Sequence, residues 1–133
     1  MTFEIFNPDA LEEPKGFSHG LAWTGEGRIL FVAGQPAIGA DGAVIEGTFV
    51  EQFALCLDRI LAIVADAGGT AEHIGRMTVF VSDMAAYKSS RRELGAVYRQ
   101  RMGRHYPAMA LMAVSELVDD GAIVEIEATA VVP

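Results

Sequence analysis

Near its C-terminus the chain reads IVEIEATAVV, over residues 123–132. Apolar residues occupy every second position from Val124 to Val132, which predicts a β-strand because successive side chains in a strand point to opposite faces. One face of this strand is wholly apolar, whereas the other carries Glu125 and Glu127. We therefore expect a strand that packs on a core through one face and holds two carboxylates on the other.

Two segments predict helices. Thr48 and Glu51 have the spacing of a capping box, in which each side chain accepts a hydrogen bond from the backbone amide of the other residue. Apolar residues then recur at helical spacing until Gly68 and Gly69 stop the pattern. A second helix is predicted from about Asp83 to Met102, before Gly103, on a weaker apolar stripe.

The rest of the chain favours strands. The GEG sequence at 25–27 indicates a hairpin between the second and third of them. The order of elements predicts one α+β domain spanning residues 1–133, with both helices on one face of a mixed sheet of about six strands. The predicted strands are Phe3–Phe6, Ser18–Thr24, Arg28–Ala33, Met77–Val81, Ala108–Val114 and Ala122–Val132.

The second face of that sheet has no helix to cover it. Two helices cover one side of such a sheet, yet several strands are apolar on both sides. In the third strand, for example, Ile29 and Phe31 alternate with Leu30 and Val32. Because a small domain with an uncovered apolar face tends to bury it against another copy, we expect an obligate oligomer with the C-terminal glutamates near its interface.

Charge and composition exclude several classes of function. The chain has 18 acidic and 10 basic residues, a net charge of −8, which disfavours the phosphate neutralisation that nucleic-acid binding needs. Six of the basic residues fall within 88–104, a pattern typical of a solvated helix face. No apolar run approaches the ~20 residues that span a bilayer, so we expect no membrane partner.

Cysteine and histidine usage points to a protein without a disulfide framework or a zinc site. Cys56 is the single cysteine, and it falls within an apolar helical pattern. The three histidines match no zinc-binding spacing. The first 16 residues lack the order of charges and apolar residues that a signal peptide has. We therefore expect a cytoplasmic protein without a zinc site.

Several longer motifs resemble one family. They are PKGFSHG (14–20), ILFVAGQPAIGADGAVIEG (29–47), EQFALCLDRILAIVADAGG (51–69), RMTVFVSDM (76–84), YPA (106–108) and IVEIEATAV (123–131). Together they resemble the Rid family of reactive-intermediate deaminases, also called YjgF-like or endoribonuclease L-PSP proteins. The resemblance implies a chorismate-mutase-like α+β domain that forms a homotrimer, with three clefts between neighbouring subunits. It also implies hydrolysis of reactive enamines and imines, especially 2-imino acids, without a cofactor.

The resemblance also assigns candidate site residues. Glu125 corresponds to the glutamate that positions the attacking water, which makes it the catalytic candidate. Met109 stands where deaminating members carry the arginine that binds the substrate carboxylate. Phe17 replaces a tyrosine, Ala33 replaces a serine beside the retained Gly34, and Arg91 or Arg92 replaces an asparagine. These positions would bind the substrate in the cleft.

The departures change the expected substrate. The Met109 thioether cannot form the two parallel charge-assisted bonds that a guanidinium makes with a carboxylate. Arg91 or Arg92 either supplies a relocated cation or forms a solvent-facing pair on the helix. We therefore expect an enzyme acting on an atypical enamine or imine rather than the standard 2-imino acids.

Two other functions remain open. The loss of several polar groups from the cleft is consistent with a non-catalytic trimer that binds a small metabolite or a protein partner. A ribonuclease, a label that some relatives carry, is disfavoured by the acidic composition and by the lack of interleaved aromatic and basic residues.

Overall fold

The computed structural model describes residues 2–133. Along the chain its elements are β1 (Glu4–Phe6), β2 (Gly20–Ala22), β3 (Arg28–Pro36), α1 (Phe49–Asp66), β4 (Ile74–Val81), α2 (Met84–Ser89), α3 (Arg91–Met102), β5 (Ala108–Ala113) and β6 (Val124–Val132). A single 3₁₀ turn, Ala71–His73, precedes β4. The class is α+β, as the order of elements predicted.

The main sheet has four strands in the order β3-β6-β4-β5. β6 pairs antiparallel with both β3 and β4, whereas β4 and β5 are parallel and are joined through α2 and α3. β1 and β2 form a separate two-stranded antiparallel sheet. The prediction of one sheet of about six strands was therefore wrong, because the two short N-terminal strands pair only with each other.

The predicted hairpin between the second and third strands was also wrong. Gly25 and Gly27 do turn the chain, with φ of 106° and 153°. However, β3 leaves the turn to pair with β6, from Arg28 opposite Val132 to Pro36 opposite Glu125. A glycine-rich turn sets a change in chain direction but does not determine which strands pair. The nine-residue β3 can pair with β6 over a longer apolar stretch than it could with the three-residue β2.

The first helix begins and ends where its sequence signals predicted. Thr48 Oγ1 accepts from the Glu51 backbone amide at 3.2 Å, and Glu51 Oε1 accepts from the Thr48 amide at 3.2 Å, which confirms the capping box. After Ala67 the chain reverses at Gly68, whose φ of +91° favours glycine. α1 is buried along one stripe, which consists of Phe49, Gln52, Phe53, Cys56, Leu57, Ile60 and Val64.

The second predicted helix is divided in two at Ser90. The Asp83 side chain caps α2 by accepting from the Ala86 amide at 2.9 Å. The Ser90 amide then bonds to the Tyr87 carbonyl, which tightens the last turn, and the Ser90 carbonyl accepts from Leu94 to begin α3. Ser89 Oγ donates to the Ala86 carbonyl at 3.1 Å, and such local side-chain bonds compete with continuation of a helix.

The core lies between the helices and one face of the main sheet. Val124, Ile126 and Ala130 of β6 point towards α1 and are essentially inaccessible to solvent. The alternation therefore places Glu125 and Glu127 on the face opposite the helices, as predicted. Along residues 2–133, no helix has the length and apolar character needed to cross a membrane.

The face opposite the helices, called here the open face, is uncovered in the single chain. Ile29 and Phe31 of β3 lie on it with 65% and 79% of their surface exposed. Phe80 of β4 lies opposite Glu125 on the same face. An open face that combines large apolar side chains with two carboxylates agrees with the pattern that predicted an oligomer.

Candidate functional site

A bulge in β3 brings the backbone close to Glu125. Between Val32 and Gln35 the register to β6 shifts, so that Ala33 and Gly34 together occupy the space opposite one residue of β6. A Cβ placed on Gly34 would lie 3.1 Å from Glu125 Cδ and 3.2 Å from its Oε1. The Glu125 carboxyl group therefore rests against the Gly34 backbone, and glycine leaves the room for it.

Side chains from α1 and β3 hold this bulge in place. Gln35 is buried, and its Nε2 donates to the Ala33 carbonyl at 3.0 Å across Gly34. Arg59 of α1 donates through Nε to Gln35 Oε1 at 3.2 Å and through Nη1 to the Ile38 carbonyl at 3.3 Å. The guanidinium thus ties Gln35, at the C-terminal end of the bulge, and the following Ile38 to the helix.

The surroundings of Glu125 favour its protonated form. Partial burial raises the pKa of Glu125, and the negative charges of Asp119 and Glu127 raise it further. The ion pairs formed within residues 2–133, His19 with Glu12 and Arg101 with Asp58, do not involve it. A carboxyl group whose pKa is moved towards neutrality is suited to both accepting and donating a proton.

A groove of about 560 Å³ lies between α3 and β5, on the helix side of the sheet. Met109 and Leu111 point into it from β5, in register with Met77 and Val79 of the core. The groove is mostly apolar at its floor and basic at its rim. Its lining consists of Lys15, Gly16, Phe53, Val79, Tyr87, Arg91, Leu94, Gly95, Tyr98, Arg99, Tyr106, Met109 and Leu111.

The structure brings Met109 and Arg91 together in this groove. Arg92, the other candidate for a relocated cation, is exposed and does not line it. The Arg91 guanidinium carbon lies 5.6 Å from the centroid of the Tyr87 ring, a cation–π arrangement that keeps the charge at the rim. Of the two arginines, Arg91 is therefore the one placed to contact a ligand beside Met109.

Phe17 lies in a neighbouring cavity of about 540 Å³ formed with the N-terminal segment. Ser18 fixes this part of the chain beside the edge strand β5, because its amide bonds to the Pro107 carbonyl at 3.0 Å and its Oγ to the Tyr106 carbonyl at 2.6 Å. Tyr106 borders both the groove and this cavity. Phe17 and Met109 thus line two different cavities that share Tyr106 as a common wall.

Within one chain the predicted site residues therefore occupy separate places. Glu125, Ala33 and Gly34 lie together on the open face. Met109 and Arg91 lie on the helix side of the same sheet, and Phe17 lies beyond them. A single chain does not gather the catalytic candidate and the binding candidates around one ligand.

Sequence reasoning missed the rest of the groove. Lys15, Tyr87 and Arg99 line it but were given no individual role. One available signal was the spacing of Arg91, Gly95 and Arg99, since residues four apart share a helix face. Within the described part of the chain, no group of three His, Cys, Asp or Glu residues is arranged to hold a metal ion.

Comparison with known proteins gives a consistent family. The family model for endoribonuclease L-PSP matches residues 8–132. A RutC family protein of Pyrococcus abyssi is 30% identical over 105 residues, which are 78% of this chain and 79% of the relative. TdcF of Escherichia coli K12, whose name gives reactive intermediate deaminase as a provisional activity, is 32% identical over 108 residues, covering 79% of this chain and 80% of TdcF.

Solved structures share the fold over nearly the whole chain. YyfB of Yersinia pestis, described as a Rid family protein of unknown function, superposes with a TM-score of 0.84 at 28% identity and covers 99% of this chain and 100% of its own. The YjgF gene product of E. coli superposes with a TM-score of 0.69 at 27% identity, covering 86% and 87%.

Proposed function

The chain belongs to the endoribonuclease L-PSP family, which includes the Rid proteins, and on that premise we propose that it hydrolyses a reactive enamine or imine to a carbonyl compound and ammonia. The observation that carries the proposal is the Glu125 carboxyl group, which rests against Gly34 with a raised pKa. Its conversion between acid and base is the chemistry that such a hydrolysis needs.

The reaction needs a proton to be taken up and returned. Water adds to the carbon of the protonated C=N bond as the Glu125 carboxylate accepts one of its protons, which gives a neutral carbinolamine. Glu125 then returns that proton to the nitrogen, and the C–N bond breaks with its electron pair leaving on ammonia. The hydroxyl group that remains on the carbon gives its proton to Glu125 as the carbonyl forms, and Glu125 passes that proton to ammonia, which leaves as ammonium. An enamine first takes a proton on carbon, which protonated Glu125 can donate.

The site is completed between subunits in this proposal. The family resemblance suggests a homotrimer, and the exposed Ile29 and Phe31 side chains on the open face support burial of that face by another copy. The separation of Glu125 from Met109 within one chain supports a cleft in which the Glu125 of one subunit faces the groove of the next. A small ligand would bind in each of three such clefts.

Met109 determines which substrates fit. An arginine at this position would bind a carboxylate next to the reacting carbon, and a thioether cannot. The name of TdcF supports the reaction class, whereas Met109 argues for a different substrate from the standard 2-imino acids. We place the reaction in the cytoplasm, since a single buried Cys56 offers no disulfide within the chain.

The test is ammonia release from a panel of enamines and imines generated in situ. We expect turnover of at least one member that lacks a carboxylate next to the nitrogen-bearing carbon. Glu125→Gln keeps the size of the side chain but removes the proton transfer, so turnover should fall by about 10²–10⁴-fold. Glu127→Gln is the matched control, because Glu127 lies on the same face two residues later and is more exposed.

Two results would contradict the proposal. One is the absence of turnover across the panel in a protein shown to be trimeric. The other is equal loss of turnover in the Glu125→Gln and Glu127→Gln variants, since it would show that general acidity of the face matters rather than one carboxyl group. Circular dichroism and the oligomer mass should be unchanged in both variants.

A second function is favoured by the same Met109 observation. An apolar groove floor without the carboxylate-binding arginine suits a non-catalytic trimer that binds a small metabolite or a partner. In that case a ligand would bind without ammonia release, and Glu125→Gln would change only its affinity. Cleavage of RNA by repurified protein, abolished by Glu125→Gln, would instead support the ribonuclease reading that the acidic charge disfavours.

A further inference from the structure

The charge around the groove between α3 and β5 is opposite in sign to that of the whole protein. The chain carries 18 acidic and 10 basic residues. Of the described residues that line the groove, however, the charged ones are all cations: Lys15, Arg91 and Arg99. A cationic rim in a protein with a net charge of −8 is a local feature that selects anions.

These cations are not neutralised by neighbouring carboxylates. The ion pairs found along residues 2–133 use Arg101 and His19 instead. Arg91 lies over the Tyr87 ring. The Nη1 atom of Arg99 lies 3.4 Å from the position that a Cβ on Gly95 would take, so its guanidinium group extends along the α3 face past Gly95. Arg91 thus lies at the Tyr87 end of the rim, and Arg99 lies over Gly95.

The placement of Arg99 depends on a residue that weakens the helix. A glycine inside a helix destabilises it by about 0.5–1 kcal/mol relative to alanine. Gly95 nevertheless stands in the middle of α3 and lines the groove. Its missing side chain leaves room for the Arg99 guanidinium group to lie against the helix at the edge of the groove.

The floor beneath the rim is apolar and aromatic. Tyr98 and Tyr106 stack with ring centroids 5.3 Å apart and planes 8° from parallel. The Tyr98 hydroxyl donates to the His105 carbonyl at 2.6 Å, which fixes the orientation of that ring. Met109 and Leu111 form the β5 side of the floor, and the flexible thioether of Met109 adapts well to apolar groups.

We propose that this groove binds small carboxylates with an apolar or aromatic body. The acid group is held at the basic rim to which Arg91 and Arg99 contribute, and the body lies on Met109 and Leu111. As a statement about substrates this rests on the proposed function: the reacting carbon would then be separated from the carboxylate by several bonds. As a statement about binding it needs only the groove, because an arginine binds a carboxylate whether or not a reaction follows.

The test measures binding of two probes of nearly equal shape to the full-length protein by calorimetry. 4-Phenylbutanoate carries an apolar body and a distant carboxylate, whereas 4-phenylbutanamide lacks the charge. We expect the carboxylate to bind at least about tenfold more tightly, since hydrogen bonds to charged groups are the stronger class. Its affinity should also fall as salt is added, because the rim is exposed.

Single arginine variants locate the anion. Arg91→Gln and Arg99→Gln should each weaken binding of 4-phenylbutanoate by about tenfold and leave 4-phenylbutanamide unaffected. Arg92→Gln is the matched control, because it removes the same charge from the next residue of α3 outside the groove. All three positions are exposed, so the variants should fold normally.

Three outcomes would overturn the inference: equal binding of the acid and the amide, no binding of either, or an equal effect of Arg92→Gln and Arg91→Gln. Its failure is distinguishable from that of the proposed function. Tight, Arg91-dependent binding without ammonia release from any panel member would overturn the hydrolase alone. Turnover by a protein that does not distinguish the two probes would overturn the carboxylate groove alone.

Discussion

At the scale of single residues, the acidic candidate and the basic candidates for the site lie on opposite faces of the main sheet. Glu125 lies on the open face with only Asp119 and Glu127 as the charges that act on its pKa. Arg91 and Arg99 lie on the helix side at a rim without acidic lining residues. Within residues 2–133 of one chain, no cation therefore lowers the pKa of Glu125, and no carboxylate lines the groove to compete with an anionic ligand for Arg91 and Arg99.

The raised pKa of Glu125 makes a prediction about stability. A carboxyl group whose pKa is higher in the folded than in the unfolded state binds more protons when folded, so its contribution is favourable at low pH and is lost as pH rises through the folded pKa. Wild type should therefore gain stability relative to Glu125→Gln as the pH is lowered from 8 towards 4. Thermal unfolding of both proteins across that range measures the difference.

The control for this effect is Glu127→Gln, whose pH dependence reports the rest of the acidic face. At pH 8 the Glu125→Gln protein should be more stable than wild type, because glutamine has no charge to desolvate or to repel Asp119 and Glu127. A difference that grows in the opposite direction, with wild type gaining on the variant as pH rises, would mean that Glu125 is stabilised as a carboxylate.

At the scale of elements, the bulge in β3 connects the helix layer to the open face. Arg59 belongs to α1, yet its hydrogen bonds end on Gln35 and on the Ile38 carbonyl, at the segment that carries Gly34. The bulged backbone in turn lies against the Glu125 carboxyl group. The position of the catalytic candidate thus depends on a side chain from the other side of the sheet.

Removing that connection should affect both stability and activity. Arg59→Met retains the apolar stem but leaves buried Gln35 Oε1 without its donor, which should cost about 1–3 kcal/mol in the free energy of unfolding measured with urea. Turnover should fall, and the pH profile of kcat/KM should shift, because Gly34 no longer holds Glu125 in one environment. A merely structural role for Arg59 would lower stability and leave the pH profile unchanged.

Arg92→Met is the matched control for this prediction, since it makes the same change at an exposed position of α3. Surface substitutions of this kind usually alter stability by less than about 0.5 kcal/mol. An equal effect of the two variants on unfolding would contradict the role given to the Arg59 hydrogen bonds.

Elements with signals at both ends were predictable from the sequence. Thr48, Glu51 and Gly68 defined α1, and strict alternation defined the faces of β6, because caps and periodicity depend on neighbours along the chain. The partner of β3 and the break at Ser90 were not, since strand pairing and helix docking depend on contacts distant in sequence. Glu125 could be assigned to a face from its own strand, whereas Lys15, which is distant in sequence from the Arg91 and Met109 that line the groove with it, was not predicted there.

At the scale of the whole molecule, the two halves of the proposed site face away from each other. The open face presents Glu125 beside exposed Ile29 and Phe31, and the groove opens between α3 and the edge strand β5. A complete site therefore needs the open face of one copy to lie against the α3–β5 edge of another. The trimer is therefore a requirement of the proposed function, and sedimentation should give the mass of three chains.

Mixing two inactive variants tests this requirement directly. Glu125→Gln removes the carboxyl group, and Gly95→Trp fills the groove from a position whose Cβ would meet only Arg99. Each variant alone should be nearly inactive. When the two are unfolded together in equal amounts and refolded, about one quarter of the clefts in a random trimer combine an intact Glu125 with an intact groove from the next subunit, so about a quarter of the wild-type turnover should return.

The control is a mixture of the two preformed trimers, which should stay inactive until the subunits exchange. If Glu125 and the groove of the same chain acted together, no combination of the variants would restore a complete site, and the refolded mixture would remain inactive although its mass was that of a trimer. Recovery near one quarter would instead require that the acid and the groove come from different chains, because only shared sites can be rebuilt from two defective subunits.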